Sequence, residues 1–220
     1  MKTILLKGPV LTRSGYGEQA RFALRSLASR PDLYDIYIAP TGWGKTSWVF
    51  ENNVERQWID DLINKTSKFL SEGKRFDLSL QVTIPNEWER IAPLNIGYTA
   101  GIETTKVAPE WIEKANIMDK IVVVSNHSKN VFEDTAYMLQ NEKKETTNFV
   151  CNTAIEVVNY PVKKYASADL NLDLPYDFNF LCLAQWGPRK NVKNTVKWFV
   201  EEFHDDEVGL VVKMFQVKNC

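Results

Sequence analysis

The run Asp119-Lys120-Ile121-Val122-Val123-Val124-Ser125 places four apolar side chains in a row and stops at a serine. A strand with one wet face alternates apolar and polar residues. This one does not, so it is read as a strand buried on both faces, as in a parallel sheet covered by helices. Similar short runs lie on either side of it: Thr3–Lys7, Asp35–Ala39, Phe76–Val82, Leu94–Thr99 and Ile155–Asn159. Between them fall stretches with helical spacing, Gly17–Ser29, Asn53–Ser71, Glu110–Ala115 and Ser128–Leu139, and a short helical turn is expected near Asn86–Arg90. Strand and helix in alternation predict an α/β fold.

A second unit follows. Residues 161–177 carry Pro161 and Pro175 among polar residues without periodicity, and read as a connector between a domain over 1–160 and a segment over 178–220. That segment reads as strand Phe178–Ala184, loop Gln185–Arg189, helix Lys190–Phe203 and strand Val208–Met214. One strand-helix-strand unit cannot cover both faces of its own sheet, so the segment either adds onto the first sheet or, as is expected, is the start of a longer domain.

The 27 basic and 28 acidic residues balance. No field favours nucleic acid or an anionic membrane, and a nucleic-acid partner is not expected. Cys151, Cys182 and Cys220 are isolated and show no metal-ligand spacing, so neither a disulfide framework nor a bound metal is expected. Cys182 and the tryptophans Trp58, Trp111 and Trp198 read as core residues. No run approaches the ~18 apolar residues of a membrane span, and the start is too short in apolar residues for a secretory signal. The expectation is a cytoplasmic protein with no transmembrane segment.

Three turns could hold a phosphate. Gly15-Tyr16-Gly17-Glu18-Gln19-Ala20 opens a helix, where backbone N–H groups and the helix dipole favour an anion. The spacing from the first strand is long, and no acid ends the second strand, so a nicotinamide or flavin cofactor is not expected. Ala39-Pro40-Thr41-Gly42-Trp43-Gly44-Lys45-Thr46 fits a relaxed nucleotide-binding loop. The bulk of Trp43, and the lack of a strand ending in aspartate, argue against it. Gln185-Trp186-Gly187-Pro188-Arg189-Lys190-Asn191 puts two cations at a helix start, an unfavourable place unless an anion neutralises them.

Taken in order, these segments resemble a glycosyltransferase of the GT-B architecture, close to glycosyltransferase family 4. The resemblance is carried by Ser14-Gly15-Tyr16-Gly17 after the first strand and by Gly97-Tyr98-Thr99-Ala100-Gly101-Ile102-Glu103-Thr104. Trp111 with Asp119–Ser125, and Phe178 to Asn191, continue it. It implies a Rossmann-like parallel sheet with helices on both faces, plus the first βαβ unit of a second Rossmann-like domain, cut short at Cys220. The family's later glutamate-rich motif is not found in the chain.

The implied reaction moves a sugar from a nucleotide-diphosphate donor to a carbohydrate, lipid-linked or protein acceptor, with retained anomeric configuration and no cofactor or metal. The resemblance assigns Arg189 and Lys190 to the departing diphosphate and makes Glu103 a candidate for positioning a substrate. It implies donor or phosphate contacts at Ser14, Gly15, Tyr16, Gly17 and Trp186. Trp43, Asn86, Thr104, Ser125 and His127 are acceptor-side candidates, and Trp88 could also stack on a ligand. The two rims are expected to face one another across a cleft, and the chain ending at Cys220 is expected not to turn over a donor alone. Two alternatives stay open: a nucleotide hydrolase using Lys45 and Thr46, and a non-catalytic nucleotide-sugar-binding module.

Overall fold

The computed structural model describes residues 1–43, 52–140, 146–162 and 164–215. Lys45, Thr46 and Cys220 lie outside the described residues. The chain divides into two compact units, Met1–Val162 and Lys163–Cys220.

In the first unit β1 (Lys2–Gly8), β2 (Tyr34–Pro40), β3 (Leu78–Val82), β4 (Leu94–Tyr98), β5 (Lys120–Val123) and β8 (Ile155–Val157) form one sheet, in the order β2-β1-β3-β4-β5-β8. Every neighbouring pair is parallel. The chain leaves β1 to one side, for β2, and returns to the other, for β3. The crevice at this reversal, outside the carboxyl ends of β1 and β3, is where open α/β sheets take their ligands.

The pleat sorts side chains to two faces. Ile4, Leu6, Ile36, Ile38, Val82 and Tyr98 bury against Ala20, Ala23 and Leu24 of α1 (Gly15–Ala28) and Ile59 of α2 (Val54–Ser71). On the opposite face Ile121 and Val123 pack with Ile112 and Ala115 of α3 (Pro109–Asn116) and Val131 and Phe132 of α4 (Asn126–Asp134). The unalternated apolar strands are thus buried from both sides, as expected.

The second face also holds polar groups. The Ser79 hydroxyl donates to Asn95 Oδ1 at 2.9 Å, and Gln81 Nε2 donates to Ser79 Oγ at 3.1 Å and to the Glu89 carbonyl at 2.6 Å. Asn95 Oδ1 also accepts from the Ile91 and Ala92 amides. These bonds meet the demand that buried polar groups be paired. They also fix the connection from the turn at Pro85–Glu87 to β4.

One helix is shorter than its sequence pattern. The stretch expected to be helical over Ser128–Leu139 is α4 only to Asp134, and a strand follows, β6 (Ala136–Gln140), antiparallel to β7 (Thr146–Val150). Thr135 stops the helix: its hydroxyl donates to the Val131 carbonyl at 2.6 Å and accepts the Val107 amide at 3.3 Å. The Tyr137 hydroxyl then donates to the Val107 carbonyl at 2.8 Å.

The second unit holds β9 (Phe178–Gln185), α5 (Val192–Phe203) and β10 (Val208–Phe215), the strands being parallel. Phe180 packs on Phe199 and Phe203 of α5, with ring centroids 5.7 and 5.3 Å away. On the other face of β9, Leu181 and Leu183 are 69% and 70% exposed. Two of the expected core residues are not core. Trp198 lies on the outer side of α5, 57% exposed, and Cys182 is only half-buried. A helix lying on a two-stranded sheet has one inner stripe, and Phe199 and Phe203 lie on it against Phe180 of β9. Among the described residues no helix is long and apolar enough to cross a membrane.

Candidate functional site

The β1–α1 turn is closed on itself. Ser14 caps α1: its Oγ accepts the Gly17 amide at 3.0 Å and lies 2.8 Å from Thr12 Oγ1, which donates to the Pro9 carbonyl at 3.0 Å. Gly17 is needed for space, since a Cβ there would collide with the Thr12 carbonyl oxygen and press on that of Pro9. Arg21, one helical turn on and buried, holds the loop from behind. Its Nη1 donates to the Val10 and Thr12 carbonyls, both at 2.9 Å, and its Nε and Nη2 reach Glu18 Oε2 at 3.1 and 2.8 Å.

The glycine-rich turn therefore differs from the expected phosphate cradle. The Ser14 hydroxyl and the Gly17 amide are engaged with each other. Gly15 is exposed, and nothing lies within 4 Å of where its Cβ would be. The amides of Gly15 and Tyr16 are the first-turn donors that the cap does not use.

Tyr16 links this turn to the loop after β4. Its hydroxyl oxygen accepts the Ala100 amide at 3.1 Å and lies 2.8 Å from Thr99 Oγ1. Burial pushes the Tyr16 phenol up, against the lowering by these two bonds. Tyr160 does the same from the far end of the unit: burial raises its phenol while its oxygen accepts a hydrogen bond from the Gly101 backbone. Trp43 meets Tyr16 edge to face, 4.4 Å between centroids, and its Nε1 donates to Glu87 Oε1 at 3.1 Å. Lys7 Nζ donates to the Glu87 carbonyl at 3.3 Å and to Glu89 Oε1 at 2.6 Å.

The other first-unit candidates divide. Asn86 is half-buried beside Glu87, in a turn of 3-10 helix at Pro85–Glu87. Ser125 caps α4, its Oγ accepting the Ser128 amide at 3.1 Å. His127, Glu103 and Thr104 are exposed, and the Thr104 hydroxyl donates to the Lys106 carbonyl at 2.8 Å. Trp88 is not at a rim. It is 0% exposed, and a Cβ on Gly97 would come within 2.6 Å of its ring, so no ligand can stack on it.

In the second unit β9 ends at Gln185, and Trp186 and Gly187 lead into a turn of 3-10 helix at Pro188–Lys190. Arg189 lies in that turn, and so does Lys190, which was expected to open the helix; the helix begins at Val192. Asn191 separates the two in a left-handed conformation, φ 50°, without capping α5 through its side chain. Both cations are exposed, as is Lys193. Trp186, Gly187, Pro188, Asn191, Val192, Lys193 and Asn194 line a hollow of 360 Å³.

Arg21, Gln19 and Thr83 were not singled out from the sequence. Glu18 and Arg21 stand three apart on a helix and read as a surface pair. Only the folded loop shows that the guanidinium is buried on two carbonyls. Among the described residues no three His, Cys, Asp or Glu side chains are grouped to hold a metal ion. No family model matches the chain, and none of the curated proteins matches it.

Proposed function

We propose that the chain is a retaining glycosyltransferase of the two-domain GT-B kind, using a nucleotide-diphosphate sugar as donor. One observation carries the reading. Each of the two units places a glycine-bearing turn, and a helix after it, at the carboxyl end of its first strand. In the first unit that strand borders the reversal point of a six-stranded parallel sheet. Nucleotides and sugars bind at such places in open α/β folds.

The second unit takes the donor's diphosphate. Arg189 offers a planar fork and Lys190 a mobile point charge to phosphate oxygens, and Trp186 offers a ring face beside them. In the reaction the bond between the anomeric carbon and the distal phosphate oxygen breaks. A new bond forms from that carbon to an acceptor hydroxyl, and the acceptor proton passes to the departing diphosphate. Negative charge grows on the diphosphate as the bond breaks, and cations fixed beside it lower the barrier. The first unit supplies the acceptor groups: Trp43, Asn86 and the loop from Thr99 to Thr104, with Glu103 on it.

The test is binding and transfer by the full-length protein with UDP-glucose, GDP-mannose and ADP-glucose. At least one donor is expected to bind, and transfer from it to fall ~100-fold or more in Arg189→Ala. Binding without transfer to any acceptor would favour a nucleotide-sugar-binding module. Magnesium-dependent hydrolysis of a nucleoside triphosphate, lost in Lys45→Ala, would favour the hydrolase.

A further inference from the structure

The arm formed by β6 and β7 has two unguarded edges. Among the described residues the two strands pair only with each other, and no backbone hydrogen bond joins either to another segment. Each therefore presents an outer row of N–H and C=O groups, the template on which a further strand adds. Folded proteins protect such edges with charge, proline or shortness. The large sheet does so at both ends: β2 carries Asp35 and ends in Pro40, and β8 is three residues long with Glu156 at its centre. The arm has no such guard. Its strands read Ala136-Tyr137-Met138-Leu139-Gln140 and Thr146-Thr147-Asn148-Phe149-Val150, without a charge, a proline or a glycine.

The base of the arm is fixed and its outer half is uncovered. Tyr137 and Phe149, opposite one another, pack on the core beneath α3 and α4, and Asn116 Nδ2 donates to the Val150 carbonyl at 2.8 Å. Further out, Met138, Leu139 and Gln140 of β6, and Thr146, Thr147 and Asn148 of β7, are all exposed. Met138 is 68% exposed and Leu139 49%, and the pleat sends them to opposite faces. A strand edge already held by its base has little left to order on binding.

We propose that the β6 edge is an interface with a second copy of this chain, the two β6 strands pairing antiparallel into a four-stranded sheet. The proposal is independent of the glycosyl-transfer reading. Symmetry, charge and side-chain pairing name the occupant. About a two-fold axis normal to the sheet a strand meets itself antiparallel, so one surface serves both chains and the contact closes. A strand with a charge at its centre would repel its own copy, and β6 has no charge to oppose. The register that sets Met138 against its copy also sets Tyr137 against Leu139, an aromatic against an aliphatic side chain, twice. The outer half of β7 offers only Thr146, Thr147 and Asn148, so β6 is the edge that pairs. An edge of five residues is small beside the ~1,200–2,000 Å² of a stable interface, so the dimer is weak and depends on concentration.

Sedimentation of the full-length protein over about 1–300 μM tests it. The mass is expected to rise with concentration from one chain to two, and amide exchange in β6 to slow as it does. Met138→Lys and Met138→Glu each set like charges face to face. Each is expected to weaken the dimer about tenfold or more, while an equal mixture of the two regains wild-type association. That recovery separates lost pairing from lost folding. Leu170→Lys, at a leucine 71% exposed and outside the arm, is expected to leave association unchanged. A single-chain mass throughout, unchanged β6 exchange, an unaffected Met138→Lys dimer, no recovery in the mixture, or an equal loss in Leu170→Lys would overturn the proposal.

Discussion

In the first unit the turn between β1 and α1 is wired into the protein: Ser14 caps Gly17, Thr12 holds Pro9, and Arg21 grips Val10 and Thr12 from behind. In the second unit the turn between β9 and α5 carries Arg189 and Lys190 on an exposed coil of 3-10 helix, and Asn191 caps nothing with its side chain. Both turns follow a first strand and lead into a helix, and both contain glycine. The first has rigidity and few unused donors. The second has two exposed cations, Arg189 and Lys190, next to residues that line a hollow. The proposed function accordingly gives the anion to the second turn, and the bonds of the first hold its shape.

Five substitutions and one acid titration break or sharpen that contrast. Gly17→Ala drives a methyl into the Thr12 carbonyl and is expected to cost about 3 kcal/mol in urea unfolding. Gly15→Ala, two residues earlier in open space, is expected to stay within about 0.5 kcal/mol. Equal costs at both positions would mean the turn is not packed as described. Arg21→Met strips buried carbonyls of their donor and should cost about 2 kcal/mol by the same assay. In the second turn Asn191→Val forces a β-branched residue into the left-handed region. About 1 kcal/mol is expected there, with Asn191→Gly near neutral.

The smallest effect is in acid. Burial raises the Glu18 carboxyl, but Arg21 and then Arg25 outweigh it, so its pKa lies below the ordinary carboxylate value. A depressed acid stabilises the fold above its unfolded pKa, and the contribution goes as pH falls through the folded value. The first unit should therefore lose a small increment of stability in that acid window, and Arg21→Met should lose less of it. A wild-type and variant loss of equal size would remove the ion pair from the account.

How much of this was legible in the sequence follows from what each element rests on. Lys120–Val123 and Lys2–Gly8 are legible because burial on both faces writes an unbroken apolar run. The hairpin of β6 and β7 is not, because Ala136 to Leu139 continue the apolar content of α4 and only the bonds of Thr135 to Val131 and Val107 end the helix. Ser14 and Gly17 were legible as a turn at a helix start, but their mutual bond was not, nor the buried place of Trp88 against Gly97. Arg189 and Lys190 were legible as a cation pair after a strand. Their position ahead of the helix depends on Asn191 adopting a positive φ, which no spacing reveals.

The central claim is that the second turn, not the first, receives the donor's diphosphate. Calorimetric titration of the full chain with the donor that binds tests it most directly, comparing Arg189→Ala with Ser14→Ala. The account predicts about 10–100-fold weaker binding in Arg189→Ala and less than about threefold change in Ser14→Ala. Unchanged affinity in Arg189→Ala, with loss of binding in Ser14→Ala in a chain that remains folded, would contradict it.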